Sequence, residues 1–220
     1  MKNQIQERVV TNRASVTGKV VSIEFSHEVY GERFYAAIIE TKRLNDLTDL
    51  VPIIISEDIG DTENLKDKIV HVTGEFRSLN KYEDGRSHLR IFVFVTNMEI
   101  LNEIPEETIN YENNHVFLNG YVCKEPVYRT TPLGKEIADV IIAVNRRYGK
   151  SDYIPCICWG NDAKVASGLS VGDKVVINGR IQSRYYVKKI SETEIEQRIA
   201  YEVSAYRIEK DEENDVNSCE

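Results

Sequence analysis

The amino-acid sequence repeats itself once along its length. The block NRASVTGKVV has a counterpart in NHVFLNGYVC, so that Gly18 and Gly120 lie 102 positions apart. LVPIIISED is answered by YIPCICWGN, with Pro52 and Pro155 103 positions apart, and LKDKIVHVTGEFRS is answered by LSVGDKVVINGRIQS. Three matched blocks in one order predict two copies of a single domain.

The repeat divides the chain into four parts. We expect an N-terminal domain over residues 1–104, a linker over 105–112, a C-terminal domain over 113–209 and an acidic tail over 210–220. The linker is acidic and contains one proline. The segment from Glu209 to the end holds six acids and one lysine, a net charge of −5, which is typical of a disordered tail.

Each copy has the pattern of a small β-barrel. Apolar and polar residues alternate over five stretches, as expected for strands with one face in the core. One helix-like stretch, EDIGDTENL or NDAKVASGL, falls between the third and fourth strands. This order predicts an all-β chain of two tandem OB-folds, which are five-stranded Greek-key barrels.

Charge and hydropathy narrow the classes of function. The net charge of −8 argues against a nucleic-acid partner, but residues 106–208 hold 14 basic and 13 acidic side chains, which permits a local basic groove. No apolar run is long enough to span a membrane, and the start, MKNQIQERVV, lacks the apolar core of a secretory signal. We therefore expect a cytoplasmic protein without a membrane partner.

The residues offer no catalytic, metal or cofactor site. The cysteines are Cys123, Cys156, Cys158 and Cys219, and the Cys-x-Cys spacing is not that of zinc or redox motifs. The four histidines are scattered, and the chain has no phosphate-binding GxxxxGK[ST] loop. The expected protein is not an enzyme.

The stretch DYIPCICWGNDA indicates how one strand of the second copy is oriented. Strand alternation places Tyr153, Pro155, Ile157 and Trp159 on one face. Cys156 and Cys158 fall on the other face, where small apolar residues suit a narrow barrel. We expect the thiols to fill the core and the rings to face outward, where they would stack unpaired bases.

Cations accompany these rings in three further elements. NRRYGKSDY looks like a hairpin tip with Arg146, Arg147, Tyr148 and Lys150. GRIQSRYYVKK places Arg180, Arg184 and Tyr186 on one face, with Lys188 and Lys189 near the tip, and VYRTTPLGKE adds Arg129 and Lys135. Arginine suits such a surface because it both pairs with phosphate and stacks on bases. The alternative is that the rings face the core or a partner subunit, and that the charged tips are only solvated.

The second copy resembles the bacterial single-stranded DNA-binding protein family over nearly its whole length. NHVFLNGYVCKEPVYRTTPLGKEIADVIIAVNR is similar to the family's opening, and DYIPCICWGNDAKVASGLSVGDKVVINGRIQSRYY is similar to its centre. The resemblance implies that Tyr153, Trp159 and Tyr186 are stacking aromatics and that Tyr148 lies near a fourth. It also places Arg129, Arg180 and Arg184 at basic or polar positions.

The first copy and the tail depart from the family pattern. Leu50 and Ser56 stand where the second copy has Tyr153 and Trp159. The first domain is therefore expected to bind DNA poorly or to serve assembly, with a weaker set at Tyr30, Phe34, Arg77, Tyr82 and Arg90. The tail ends in VNSCE, without the short apolar tip through which the family recruits partner enzymes.

The predicted function is sequence-tolerant binding of single-stranded DNA in replication, recombination or repair. The resemblance implies a homodimer that displays four barrels, with replication or recombination proteins as further partners. A second hypothesis is an OB-fold interaction module of a replisome or mobile element that binds nucleic acid only weakly. RNA binding is a third, since the same surface would accept it.

Overall fold

The computed structural model describes residues 11–45, 47–62, 64–83, 85–105, 113–146, 149–189 and 195–211, without the side chains of residues 83 and 86. Most of the predicted linker, 106–112, and most of the predicted tail, 212–220, lie outside the described residues. Within the part of the chain that is described, no helix is long and apolar enough to cross a bilayer.

In the described residues, ten strands make up nearly all of the regular structure. The first five are β1 (Asn12–Val29), β2 (Glu32–Lys42), β3 (Thr48–Ser56), β4 (Ile69–Glu83) and β5 (Arg86–Leu101), with a 3-10 turn at Glu57–Ile59 after β3. The other five are β6 (Asn114–Thr130), β7 (Glu136–Asn145), β8 (Ser151–Trp159), β9 (Lys174–Lys189) and β10 (Ile195–Lys210). One short helix, α1 (Asn161–Ser167), follows β8.

Each group of five strands closes into a barrel. In the first, β1 pairs antiparallel with both β2 and β4, and β3 pairs parallel with β5. In the second, β6 pairs antiparallel with both β7 and β9, and β8 pairs parallel with β10. The predicted all-β fold of two tandem five-stranded barrels is confirmed.

The core follows the alternation of the strands. Ile39, Ile53 and Ile55 are fully buried in the first barrel, and Ile142 and Ile154 are fully buried in the second. Burying one such side chain contributes about 1.5–3 kcal/mol, so these inward rows supply the main driving force for closing each barrel.

The two repeated glycines near the start of β1 and β6 allow strands to pass closely. A Cβ atom on Gly18 would lie 2.2 Å from the carbonyl oxygen of Glu40, and one on Gly120 would lie 2.5 Å from that of Ala143. No other residue fits at these distances. The glycines are repeated because each barrel needs the same close crossing of its first two strands.

The two barrels are joined by a shared pair of strands. β1 pairs antiparallel with β6, and Ala14 lies opposite Val116. These two residues are 102 positions apart, the spacing of the repeat itself, so the pairing is centred on equivalent residues. The two halves of the chain therefore meet with approximate twofold symmetry, as two subunits of an isologous dimer would.

A buried carboxylate of the first domain holds one side of this junction. Asp49 is 1% exposed and accepts a hydrogen bond from Arg43 Nε at 2.7 Å. From the second domain it accepts bonds from Arg180 at 2.6 Å and from the backbone N–H of Ser183 at 2.8 Å. The N–H of Leu50 donates to Ser183 Oγ at 2.9 Å.

Asp152 repeats this arrangement on the other side. It is also 1% exposed, and it accepts hydrogen bonds from Arg146 of its own domain and from the backbone N–H of Ser78 of the first domain. The N–H of Tyr153 donates to Ser78 Oγ at 2.8 Å. The two sites are equivalent because the Asp–Arg pairs lie 103 positions apart.

The substitution Asp49→Asn tests the junction. It removes the only carboxylate that the described contacts place against Arg43 and Arg180, whose side chains are 20% and 29% exposed. Removing one partner of a buried ion pair costs about 3–5 kcal/mol, which is the upper limit for these partly buried cations. We expect the free energy of unfolding, measured by chemical denaturation, to fall by up to that amount.

Asp67→Asn is the matched control. Asp67 pairs with Lys19 at 2.7 Å, but both side chains are largely exposed, so the unfolding midpoint should stay nearly unchanged. Equal midpoints for the two variants would show that the junction does not hold the domains together.

Candidate nucleic-acid interface

Strand β8 presents two aromatic rings on the outside of the second barrel. Tyr153 at its start is 48% exposed and Trp159 at its end is 37% exposed. Trp159 Nε1 donates a hydrogen bond to Ser204 Oγ at 3.2 Å, which fixes the edge of the indole and leaves part of the ring open to solvent. Ile157, expected between the rings on the outer surface, is instead buried at 6% exposure.

The cysteines of β8 face the core, as the alternation predicts. Cys156 and Cys158 are buried, and burial raises the pKa of the Cys158 thiol to about 12 and that of Cys156 well above its ordinary value. Cys123 is half-buried and donates to the carbonyl of Ile141 at 3.3 Å, and burial raises its pKa too. The described residues contain no group of ligands suited to a metal ion, and Cys219 lies outside them.

The hairpin of β9 and β10 adds a third ring. Tyr186 is 37% exposed and lies opposite Arg198. Arg184, two residues earlier, is 55% exposed and donates to Glu202 at 3.2 Å. Lys188 lies further along the same hairpin, opposite Glu196.

Two predicted cations at the surface are already paired with acids. Arg129 donates to both oxygens of Asp139, at 2.9 and 3.3 Å, and this raises the pKa of the guanidinium. Arg184 is held by Glu202, as described above. These ion pairs could not be predicted from the sequence because each joins residues on neighbouring strands.

Two other predicted DNA contacts lie at the domain junction. Arg146 binds Asp152, and Arg180 binds Asp49, so both guanidinium groups are engaged by buried carboxylates. Burial and the nearby Arg43 lower the pKa of Arg180. Lys150 is exposed just before β8, whereas Arg147 and Tyr148 lie outside the described residues.

The first domain lacks rings at the positions that match Tyr153 and Trp159. Leu50 is half-buried against the junction, and Ser56 is 5% exposed with its Oγ accepting from the N–H of Asp58. Of the weaker set predicted there, Tyr30, Tyr82 and Arg90 are exposed, whereas Phe34 is 8% exposed and Arg77 lies over the ring of Phe94.

The second domain matches a known family. Residues 113–210 fit the model of the single-strand binding protein family. Single-stranded DNA-binding protein 1 of Staphylococcus aureus (strain COL) is 39% identical over 80 residues, which is 33% of this chain and 48% of that protein. Single-stranded DNA-binding protein 3 of Listeria innocua is 36% identical over 93 residues, 37% of this chain and 58% of that protein. The chain spans about half the length of the curated relatives it matches.

A solved structure matches both domains in fold. The wild-type single-stranded DNA binding protein from Thermus aquaticus aligns with a TM-score of 0.70 at 19% identity, covering 91% of this chain and 92% of that one. At this identity the likeness concerns the fold alone. The expected strong resemblance of the second domain to the single-stranded DNA-binding protein family is confirmed.

Thiol reactivity tests the orientation of β8. With a pKa of about 12, Cys158 is a thiolate in about one molecule in 10,000 at pH 8. A Cys123→Ser, Cys219→Ser variant keeps only Cys156 and Cys158. We expect these two thiols to react with a disulfide reagent only after denaturation, with the number of reacted thiols measured by absorbance. Prompt reaction of the native variant at pH 8 would mean that the thiols face solvent and the rings face inward.

Proposed function

We propose that this chain, whose residues 113–210 match the single-strand binding protein family, binds single-stranded DNA with little sequence preference in replication, recombination or repair. The observation that carries the proposal is the pair of half-exposed rings at the two ends of β8, inside the matched domain. Every base has a flat face, so ring platforms accept any unpaired base, and each stacked base contributes about 1–3 kcal/mol.

The spacing of the rings favours one strand of DNA lying along β8. Tyr153 and Trp159 are six residues apart, which is about 20 Å in an extended strand. A single base cannot reach both rings, so each ring takes a different base of the same strand. Tyr186 on the neighbouring hairpin adds a third contact.

The cations supply phosphate contacts by exchange of partners. Arg129 and Arg184 are exposed enough to reach solvent yet are held by Asp139 and Glu202. A phosphate group would take the place of the carboxylate, and Lys150 and Lys188 would add further positive charge. Arg146 and Arg180 hold the domain junction, and Arg147 and Tyr148 remain proposed contacts from the sequence.

The assembly that fits this function is a homodimer with four barrels. We assign residues 1–104 and 113–209 to the two domains, 105–112 to the linker and 210–220 to an acidic tail. The protein acts without catalysis, in the cytoplasm of a bacterial cell, beside other replication or recombination proteins.

Removing both rings of β8 tests the platform. Tyr153→Ala with Trp159→Ala should weaken binding of a labelled oligo-dT, measured by fluorescence anisotropy, by about 1–3 kcal/mol for each ring, because neighbouring contacts remain. Leu50→Ala, at the matching position of the first domain, serves as control and should have little effect. Equal losses would show that the two domains do not differ as proposed.

Removing a competing carboxylate tests the exchange of partners. Asp139→Asn frees Arg129, and since surface ion pairs are worth at most about 1 kcal/mol, oligo-dT affinity should rise about two- to fivefold. The slope of log K against log salt should steepen by about 0.7, the value for one more phosphate contact on a single strand.

Glu209→Gln provides a matched control for this variant. Glu209 pairs with Arg207 at 2.6 Å at the C-terminal end of β10, and its removal changes the net charge by the same amount. An affinity gain equal to that of Asp139→Asn would attribute the effect to net charge. A loss on Asp139→Asn would mean that the carboxylate positions Arg129 for DNA.

A further inference from the structure

Four planar groups form a column on the outside of the first barrel. The guanidinium carbon of Arg77 lies 4.5 Å from the ring centroid of Phe94, and the centroids of Phe94 and Phe34 are 6.0 Å apart at 35°. Phe34 stacks on His27 with centroids 4.9 Å apart and planes inclined by only 9°. We call these four residues, from strands β4, β5, β2 and β1, the aromatic column.

The column lies where the second domain has its tryptophan. Phe34 is opposite Ser56 in the pairing of β2 with β3, and Ile137 is opposite Trp159 in the pairing of β7 with β8. Ser56 and Trp159 are therefore equivalent positions. In the first domain the ring stands on the adjacent strand instead.

The second phenylalanine of the column, Phe94, also occupies a position with a counterpart beside the tryptophan of the second domain. Phe94 lies beside Ile54 in the parallel pairing of β3 with β5, and Ser204 lies beside Ile157 in the pairing of β8 with β10. Phe94 thus replaces the serine to which the indole of the second domain donates its hydrogen bond. Phe34 and Phe94, from the strands on either side of β3, therefore lie around Ser56, the position that is equivalent to Trp159.

The His27 end of the column is open to a further stacked group, whereas Arg77 at the other end is 28% exposed and held by Glu75. Phe34 is 8% exposed because His27 and Phe94 lie against it, whereas His27 is exposed near the end of β1. A ring held parallel to another ring is restrained before any ligand arrives, so stacking on it costs little ordering of the protein. We propose that His27, backed by Phe34, is a stacking seat for an unpaired nucleobase in the first domain.

Local charge determines which part of a nucleotide this seat would take. Residues 24–35 of the hairpin include Glu24, Glu28 and Glu32, and the one cation in this range, Arg33, lies over the rings of Phe25 and Tyr35 at 5.4 and 5.5 Å. An acidic rim repels phosphate, so the seat would hold a base by stacking while the backbone faces away. Its contribution to affinity should depend little on salt, unlike that of the second domain.

The inference rests on the proposed function, because the second domain must first hold the strand. Once one part of a strand is bound, the next part is present at high effective concentration, and a single stacking contact then becomes useful. A short oligonucleotide that occupies one barrel should therefore not engage His27, whereas a long one should.

A relocated tryptophan tests the seat directly. In a Trp159→Phe, His27→Trp variant the only indole stands at the end of the column. We expect its emission to be quenched by an oligo-dT of about 40 nucleotides and not by one of about 8, since one OB-fold covers about 4–16 nucleotides. Anisotropy of a labelled oligonucleotide confirms that the variant is saturated.

A second variant keeps the native reporter. His27→Ala should lower the affinity for the long oligonucleotide about fivefold or more while leaving the short one, followed by Trp159 emission, unchanged. Phe25→Ala is the matched control, since Phe25 is a half-exposed ring on the same hairpin but outside the column. Its affinity for the long oligonucleotide should match that of the native chain.

The outcomes separate the two proposals. Failure of the short oligonucleotide to quench Trp159 would overturn the proposed function and the seat with it. The seat alone would be overturned if Trp159 is quenched normally, the emission of the indole at position 27 does not change, and His27→Ala keeps the native affinity for the long oligonucleotide. An indole at position 27 that responds only to an arginine-rich peptide would overturn the seat in favour of a protein-docking hairpin.

Discussion

Two buried carboxylates hold this structure in one arrangement. Asp49 and Asp152 each accept hydrogen bonds from an arginine of their own domain and from a backbone N–H of the other domain. A carboxylate that stays buried but loses a donor is costly, so removing a cross-domain donor should destabilise the junction. The approximate twofold symmetry of the two sites means that both edges of the junction are held by the same chemistry.

The junction also positions the candidate DNA platform. Asp152 immediately precedes Tyr153, whose backbone N–H donates across the junction to Ser78. At the other end of β8, the indole of Trp159 donates to Ser204. Both rings therefore stand on a strand that is fixed at its start and at its end. Preorganisation of this kind lowers the entropy cost of stacking, since fewer protein groups must be ordered when a base arrives.

The sequence predicted those features that depend on one strand at a time. Alternation along β8 was enough to place Cys156 inward and Trp159 outward, because the period of two is a property of the strand itself. It could not assign Arg180, whose partner Asp49 lies 131 residues away in the other domain. A basic residue in a strand looks the same whether it meets a phosphate or a buried carboxylate, and only the register between the domains separates these roles.

The aromatic column shows the same limit for the first domain. Comparing β3 with β8 position by position indicated a lost platform, because Ser56 replaces the tryptophan. A sheet face is two-dimensional, however, and Phe34 and Phe94 reach the same place from the flanking strands. What differs between the domains is then the charge around the rings. A strand of DNA that continues from the second barrel to the first would meet the His27 end of the column and fewer phosphate contacts, so the first domain would add occluded length more than salt-sensitive affinity.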